Sequence, residues 1–377
     1  MFGCSFDKQD NIMPCIDITK NYPEKEIILT DIADVTYLCL NSDDDDYLFS
    51  GGICCVTKNT IVVYDYTSGN ILFFTKDGLP KSRFNRKGQG PEEYSRVVGR
   101  VIYDEEVDDV FVYSHLTNVI PVYSSAGEYK RKISIPEKIV INGLISCDDE
   151  SLLLYEASMY VKKVLGEEEL PDEFIDSTFV RISKTDGSIL DYVALTNNRI
   201  VLKDDSRGRS RSGLCVRMLK HKEGVLLCNP ETDTVFLFGK DKSLTPIIRK
   251  HPLVSALDPM AYLDNCIDID DFQFMEVFTV RWEEGAFTFP AKYYMRDKKT
   301  GEIFYQKFFL PDYKGKEFIF SPTRTLGDEE NGFYFELELM ELKQAYYENK
   351  LSGKLKELVS TLDEEKDNNV FMFVKFK

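Results

Sequence analysis

The hydrophobic positions of this chain fall in short runs that polar turns interrupt at similar intervals. Residues 61–74 contain an apolar strand, a polar turn and a second apolar strand, and Asp77-Gly78 then marks another tight turn. Strand runs separated by Gly, Asp, Asn and Ser are typical of β-hairpins. The first clear unit of the chain is therefore predicted to be a hairpin of an antiparallel sheet.

The same pattern recurs farther along the chain. Residues 110–123 and residues 225–238 align with residues 61–74 position by position, without gaps. Each copy is followed by a short third strand, and a further apolar stretch such as residues 99–103 precedes it. Four short antiparallel strands in each unit are typical of a propeller blade.

Looser copies complete the repeat. They cover residues 152–187, residues 287–310, and residues 318–335 together with the terminal residues 370–376. The pattern predicts six blades, with seven as the alternative if residues 258–271 form a blade of their own. Such a fold places a channel at the centre of the ring.

One stretch has helical rather than strand periodicity. Within residues 337–362, apolar residues recur at spacings of three and four, which indicates a helical excursion inside the last blade. Residues 26–40 read as strands and are predicted to complete the last blade and close the ring. We therefore predict an all-β, six-bladed propeller of four-stranded antiparallel blades over residues 26–377, with residues 1–25 as a tether.

Four segments carry a family resemblance. Residues 16–26, 31–35, 84–94 and the terminal residues 367–376 resemble the six-bladed β-propeller lipoproteins of bacterial cell envelopes; the second half of residues 84–94 is the loop Gly88-Gln-Gly-Pro-Glu-Glu-Tyr94. The resemblance spans nearly the whole chain, and the loop is its most specific part. It implies the fold, lipidation and export, and it implies no catalytic residues because that family is largely uncharacterised in function.

The N-terminus bears on the lipidation. Met1-Phe-Gly-Cys4 places a small residue before a cysteine, and a polar run follows, as at the end of a lipoprotein signal peptide. Cys4 is accordingly the predicted lipidated residue, with an ordinary terminal cysteine as the alternative. The basic and apolar regions of a complete signal peptide do not stand before it. The predicted location is the cell envelope, lipid-anchored on the periplasmic side or at the cell surface.

Composition narrows the classes of partner. The formal net charge of −17 disfavours the phosphate backbone of nucleic acids. No stretch approaches 18 apolar residues, so a lipid anchor is the expected membrane contact. The basic residues 207–213 are interpreted as a solvated loop rather than a phosphate site. Nine cysteines without a C-x-x-C pair favour neither a disulfide framework nor zinc.

The loop that joins the first two predicted blades holds the candidate binding residues. Arg86 and Lys87 suit an anionic group, and Tyr94 suits stacking on a sugar or another ring; the full candidate set is Arg86, Lys87, Gln89, Glu92 and Tyr94. The alternative is that Gly88, Gly90 and Pro91 build a sharp turn whose charged residues are merely solvated.

Other candidates are weaker. Four consecutive aspartates, and a second acidic group near the predicted fifth blade, provide oxygen ligands for a hard cation but lack the pattern of an EF-hand; a solvated loop is the preferred interpretation. The three histidines accompany no nucleophile motif. These candidates are Asp43, Asp44, Asp45, Asp46, Asp264, Asp268, Asp270, Asp271, His115, His221 and His251.

The sequence thus predicts a monomeric binding protein without a cofactor, which contacts a glycan, a peptide or an envelope protein through one face of the ring. The alternative is an enzyme of the lactonase, glycoside hydrolase or lyase type with Ca²⁺ in the central channel. Such a site draws residues from several blades, so their linear order neither shows nor excludes it. A purely structural subunit, marked by an exposed apolar patch, is the third hypothesis.

Overall fold

The computed structural model shows six antiparallel sheets that follow one another along the chain and close into a ring. Each sheet is one blade, and the predicted all-β six-bladed propeller is confirmed. The structure describes residues 13–41, 45–95, 100–114, 117–136, 139, 141–156, 179–193, 195, 202–204, 209–211, 217–228, 232–283, 286–320 and 332–377.

Short elements precede the first complete blade. They are β1 (Cys15–Asp17), β2 (Glu24–Ile28), the helical turn α1 (Leu29–Ile32), β3 (Ala33–Cys39) and a 3₁₀ turn at Asp45–Tyr47.

Blades one to three each contain four antiparallel strands in chain order. Blade one comprises β4 (Gly51–Val56), β5 (Thr60–Asp65), β6 (Ile71–Thr75) and β7 (Pro80–Phe84); blade two comprises β8 (Arg100–Asp104), β9 (Asp109–Tyr113), β10 (Val119–Tyr123) and β11 (Tyr129–Ser134); blade three comprises β12 (Ile141–Ser146), β13 (Ser151–Glu156), β14 (Phe179–Ser183) and β15 (Ile189–Val193). The gapless repeat in the sequence corresponds to the middle hairpins of blades one, two and four.

Blades four and five follow the same order, and each has a small accessory hairpin in its connecting segments. The hairpin of β16 (Leu202–Asp204) and β17 (Arg209–Arg211) precedes blade four, which comprises β18 (Arg217–His221), β19 (Gly224–Cys228), β20 (Thr234–Gly239) and β21 (Leu244–His251). A 3₁₀ turn at Val254–Ala256 follows. Blade five comprises β22 (Ala261–Asp268), β23 (Phe272–Thr279), β26 (Ala291–Asp297), β27 (Ile303–Leu310) and β28 (Tyr313–Phe318), and the hairpin of β24 (Arg281–Glu283) and β25 (Ala286–Thr288) lies between β23 and β26. Residues 258–271 thus contain the first strand of blade five, and no seventh blade is needed for them.

The last blade contains the helical excursion. Its described strands are β29 (Gly332–Leu337), β30 (Val370–Phe376) and β3, and the helices α2 (Leu339–Tyr347) and α3 (Gly353–Thr361) lie between β29 and β30. One assignment differs from the sequence prediction. Phe318 belongs to β28, which pairs with β27 in blade five, because β27 continues directly into a tight turn.

The ring closes between the two ends of the chain. Strand β3 pairs antiparallel with β30 along its whole length, from Ala33 opposite Phe376 to Cys39 opposite Val370. The hydroxyl of Tyr334 on β29 donates to the carbonyl of Ile53 in blade one, at 3.0 Å. Blade six is therefore joined to blade one, and the β30 edge is covered by β3.

The described part of the predicted tether differs from the prediction. Strand β1 pairs in parallel with β21, and Ile16 within it is fully buried. Strand β2, which begins inside the predicted tether, pairs in parallel with β27. The outer strands of blades four and five present unpaired backbone groups, and residues 15–28 satisfy them by adding a strand to each sheet.

Apolar side chains fill the spaces between neighbouring sheets. Between blades five and six the filling is aromatic: the ring of Phe320 lies 4.6 Å from that of Phe308 and 4.7 Å from that of Phe333, centroid to centroid. Phe274 lies 5.2 Å from Phe333 in an edge-to-face arrangement. This packing places four of the 26 phenylalanines of the sequence in one cluster.

Glycines at the second tight turn let adjacent blades approach each other. Gly78, Gly127 and Gly187 have φ values of 81°, 83° and 83°, in the left-handed region that favours glycine. A Cβ atom on Gly127 would lie 2.4 Å from the Cβ of Phe84 in blade one. The repeated glycine therefore serves both the turn and the packing of one blade on the preceding blade.

The first strand of each blade lies at the centre of the ring. Strands β4 and β8, β8 and β12, β12 and β18, and β18 and β22 contact each other in succession, and β29 meets β4 through Tyr334. Contacts among the first strands of successive blades are expected only where the blades converge on the axis. These inner strands therefore line the central channel, and their first residues mark one of its two ends.

Candidate functional site

One arginine projects into the channel where four blades converge. Arg100 is the first residue of the inner strand β8 and is exposed to solvent. Its pKa is lowered first by desolvation and then by the positive charge of Arg217, with opposing contributions from Cys54 and Tyr334. These three residues belong to blades four, one and six. A guanidinium whose charge interacts with residues of three other blades lies near the axis of the ring.

The second arginine occupies the equivalent position in blade four. Arg217 is the first residue of β18, and its Nε lies 3.2 Å from Oδ2 of Asp264 on β22. The Asp264 side chain is almost completely buried, and desolvation raises the pKa of its carboxyl group to about 6 despite the opposing charge of Arg217. We refer to Cys54, Arg100, Arg217, Asp264 and Tyr334 as the channel mouth.

The two arginines differ in their partners. Arg217 has a carboxylate counter-ion, whereas Arg100 has neither a hydrogen bond nor an ion pair with any residue that the structure describes. Like charges that approach each other in a poorly solvated site repel, so an anion between them stabilises the arrangement. Guanidinium groups bind carboxylate and phosphate groups with two parallel hydrogen bonds. The channel mouth can therefore hold an anionic group at Arg100.

A buried amide extends the channel mouth within blade five. Asn265 Nδ2 donates to Asp264 Oδ2 and to Glu276 Oε2, each at 2.8 Å. We refer to Asp264 and Glu276, bridged by Asn265, as the acidic pair. The charge and hydrogen bond of Glu276 contribute, after desolvation, to a pKa of about 12 for Tyr293. A β-bulge between Leu263 and Asn265 lets the adjacent residues 264 and 265 both contribute side chains here.

The Cys54 thiol is a poor nucleophile. Burial, and then the neighbouring Cys55, raise its pKa to about 12, and the positive charge of Arg100 opposes this only weakly. Thiolate is the reactive form of cysteine, so Cys54 is a poor candidate for a nucleophile.

The sequence-predicted candidates on residues 86–94 form a different structure. Tyr94 is 1% exposed, and its hydroxyl donates to the Gly69 carbonyl at 2.7 Å and accepts from the backbone N–H of Arg86 at 3.2 Å. Burial raises its pKa to about 12. Tyr94 also packs edge-to-face against Tyr123, at 6.0 Å between centroids. The aromatic ring that the sequence assigns to ligand stacking is therefore in the core between blades one and two.

The remaining loop candidates stay at the surface. Arg86 Nε donates to the Gly127 carbonyl at 2.9 Å and links the loop to blade two. Lys87, Gln89 and Glu92 are exposed, and Glu92 also accepts the Tyr123 hydroxyl through its backbone carbonyl, at 2.8 Å. This geometry matches the alternative interpretation of the loop as an inter-blade turn.

Comparison with known proteins gives the family context. Residues 7–185 match the DUF5128 family model, which is described as a 6-bladed beta-propeller. This chain is a six-bladed β-propeller. No curated protein matches its sequence.

Solved structures share the propeller fold. A Bacteroides fragilis protein inferred to be exported is 15% identical, with a TM-score of 0.67 over 96% of this chain and 99% of that one. A member of the DUF4221 family from Bacteroides vulgatus is 11% identical, with a TM-score of 0.50 over 92% of this chain and 97% of that one. At these identities the similarity establishes the fold alone.

The other acidic candidates of the propeller form ion pairs at its surface. Lys298 lies 3.0 Å from Asp268, Lys299 lies 2.7 Å from Asp271, and Lys222 pairs with Asp270. Asp46 pairs with Arg83. Asp43 and Asp44 lie outside the described residues. Within the described ranges, no three His, Cys, Asp or Glu side chains form a group that could hold a metal ion.

The histidines do not meet at the channel mouth. His221 Nε2 lies 3.8 Å from Asp268, and burial lowers the pKa of His221. His251 is exposed at the end of β21. His115, the lipidation candidate Cys4 and most of the basic segment 207–213 lie outside the described residues. In the part of the chain that the structure describes, no helix is long and apolar enough to cross a membrane.

Sequence reasoning selected Asp264, as a candidate cation ligand, but no other residue of the channel mouth. Arg100 stood in a predicted inner strand, but its neighbours come from blades that are distant in the sequence. One signal was available: Arg100 and Arg217 each begin an inner strand directly after an inter-blade connection. A search for charged residues at that repeat position would have found both.

Proposed function

We propose that this propeller is a binding protein that captures an anionic group of its ligand at the channel mouth, with Arg100 as the main contact. The observation that carries the proposal is the convergence of Arg100 with Arg217 in a site where Arg100 has no acceptor among the described residues. Ligand sites contain a few convergent polar groups, and Arg100, Arg217 and Asp264 from three different blades converge at the channel mouth.

The ligand class follows from guanidinium chemistry. A carboxylate fits the planar fork of Arg100, and uronic-acid glycans and peptide carboxylates both present one. Binding through the face that carries the first residues of the inner strands agrees with the predicted use of one face of the ring. The Ca²⁺-dependent enzyme stays an alternative prediction, as does a scaffold role.

The proposal is tested by calorimetric titration of the purified protein at low ionic strength. The probes are acetate, glucuronate and N-acetylglycine, with glucose as the uncharged control. We expect binding of at least one carboxylate and no heat from glucose. Arg100→Gln should weaken that binding at least about tenfold, because a charge-assisted hydrogen bond contributes about 1.5–3 kcal/mol.

Lys87→Gln is the matched control. It removes one positive charge from the exposed loop that the sequence favoured, and it should leave the affinity unchanged. Equal losses in both variants would show a general charge effect, and the absence of binding by any carboxylate would contradict the proposal.

We also propose that the protein functions in the cell envelope, attached through Cys4. The support is the lipobox-like sequence Met1-Phe-Gly-Cys4 and the resemblance to envelope lipoproteins. Metabolic labelling with a palmitate analogue in a bacterial host should label the native gene product. Cys4→Ser should abolish the label, whereas Cys15→Ser should retain it.

A further inference from the structure

The acidic pair contains a buried acceptor with no partner. Asn265 is fully buried, and its Nδ2 atom is occupied by Asp264 and Glu276. Its Oδ1 atom is also buried, and no described residue donates a hydrogen bond to it. A buried acceptor without a hydrogen bond destabilises the folded protein, so we expect a donor group to contact Asn265 Oδ1 in the ligand-bound state.

The charges around this acceptor select the kind of donor. Asp264 has Arg217 as its counter-ion at 3.2 Å. Glu276, 4% exposed, accepts from the neutral Asn265 amide at 2.8 Å, and Tyr293 supplies a neutral hydroxyl. A buried carboxylate with neutral partners favours a positively charged neighbour. An ammonium group provides that charge and carries three N–H donors.

The site therefore contains two ionisable groups, one at each end, that lack a partner of opposite charge among the described residues. Arg100 is a cation without an acceptor, and Glu276 is a carboxyl group without a cationic partner, among the described residues. Arg217 and Asp264, which pair with each other, connect the two ends across blades four and five. A ligand with one negative and one positive group complements both ends at once.

We propose that the ligand of this propeller is zwitterionic, with its acidic group at Arg100 and its ammonium group at Asn265 Oδ1 and Glu276. Free amino acids and short peptides have this chemistry. The inference rests on the proposed function for its acidic half and adds the second subsite. Glu276 and Asn265 are then specificity-determining residues for the ammonium group.

The test compares oligoglycines of two to five residues with their N-acetylated forms, by calorimetry at pH 7. Acetylation removes the positive charge and keeps the carboxylate. The series of lengths covers the unknown spacing between the two subsites. For the best length we expect the free peptide to bind at least about tenfold more tightly than its acetylated form, as one charge-assisted hydrogen bond would give.

Glu276→Gln should remove this preference while the acetylated peptide binds as before. Glu92→Gln makes the same change on an exposed loop residue and should keep the preference. Glu276→Asp retains the charge and serves as a second variant if Glu276→Gln fails to fold; it should retain part of the preference.

The outcomes separate the two proposals. If the acetylated and free peptides bind equally to the wild type, the zwitterion inference is wrong and the anion site stands. If neither form binds at any length, the anion site is contradicted as well.

Discussion

Two segments of this propeller lie six residues apart in the sequence and behave in opposite ways. The loop of residues 86–94 has the most distinctive local sequence, and its aromatic residue Tyr94 is buried and hydrogen-bonded. Arg100 stands in an ordinary apolar strand, and its guanidinium has no acceptor among the described residues. The distinctive local motif forms the turn between blades one and two, whereas the channel mouth, where Arg100 has no described acceptor, is assembled from five blades.

In a repeat fold, a functional site is therefore expected where side chains of different blades converge, rather than at the most distinctive local motif. Gly88, Gly90 and Pro91 set a turn whose polar groups are satisfied within the loop, as when Gly90 N–H donates to the Glu93 carboxylate at 2.6 Å. At the channel mouth, by contrast, Arg217 pairs with Asp264 across blades four and five, but Arg100 has no acceptor among the described residues. Mutations in the loop are therefore expected to change stability, and mutations at the channel mouth are expected to change binding.

The largest expected effect is on stability, at Tyr94. Tyr94→Ala removes a fully buried ring and both of its hydrogen bonds, so we expect the free energy of unfolding to fall by about 3–5 kcal/mol. Tyr94→Phe keeps the ring and loses the hydroxyl, and it should cost about 1 kcal/mol. Urea unfolding measures both. A Tyr94→Phe variant that folds stably but loses carboxylate binding would place Tyr94 in the ligand site and would contradict its assignment to the core between blades one and two.

The second effect is a pH dependence at Asp264. Burial raises the pKa of Asp264 to about 6, above its value in the unfolded chain, so the folded protein binds the proton more tightly. This contribution to stability is complete below about pH 4 and is lost as the pH rises through about 6. Each pKa unit corresponds to about 1.4 kcal/mol, which predicts a loss of about 2–3 kcal/mol.

Asp264→Asn should remove that dependence. The difference in unfolding free energy between wild type and variant should change by about 2–3 kcal/mol between pH 4 and pH 7, in favour of the variant at the higher pH. Asp271→Asn, at an exposed ion pair, is the control and should show little change. Parallel pH profiles for the wild type and Asp264→Asn would show that Asp264 titrates as a solvated group.

A smaller effect on stability is expected at Arg100. Arg100 has no described acceptor and is repelled by the positive charge of Arg217. Arg100→Gln should therefore leave the free energy of unfolding unchanged or raise it by up to about 0.5 kcal/mol. The same variant should lose carboxylate affinity. Thermal unfolding without ligand provides the measurement, and a marked destabilisation would assign Arg100 a structural role instead.

The smallest effects are expected on the exposed face of the loop. Gln89→Ala and Glu92→Gln should change stability by less than about 0.5 kcal/mol and should leave carboxylate affinity at its wild-type value. Calorimetry with the best carboxylate probe tests this. A tenfold loss of affinity in either variant would return the binding site to the loop that the sequence selected.

Most of the fold was predictable because each blade is encoded locally. Alternating apolar runs and turn glycines such as Gly78 and Gly127 mark each hairpin, and the 3.6-residue periodicity marks the helices α2 and α3 in the last blade. The additions of β1 and β2 were not predictable in the same way. They depend on open edges at β21 and β27, which exist only once blades four and five have formed.

The candidate site was predictable only in its chemistry. An arginine suits an anion wherever it stands, but the proximity of Arg100 to Arg217, and of Asp264 to Glu276 through Asn265, depends on how blades pack around an axis. A β-bulge that redirects Asn265 leaves no clear signal in the sequence. The residue types were visible, and their convergence was not.

The central claim is that Arg100 is the anion contact, and the most direct measurement is the NMR signal of its side-chain Nε–Hε group. Arg100→Lys identifies that signal by its loss. On titration with the carboxylate that calorimetry selects, we predict a saturable shift of the Arg100 signal with the same dissociation constant as the calorimetric one. An unchanged Arg100 signal at saturating ligand would contradict the account.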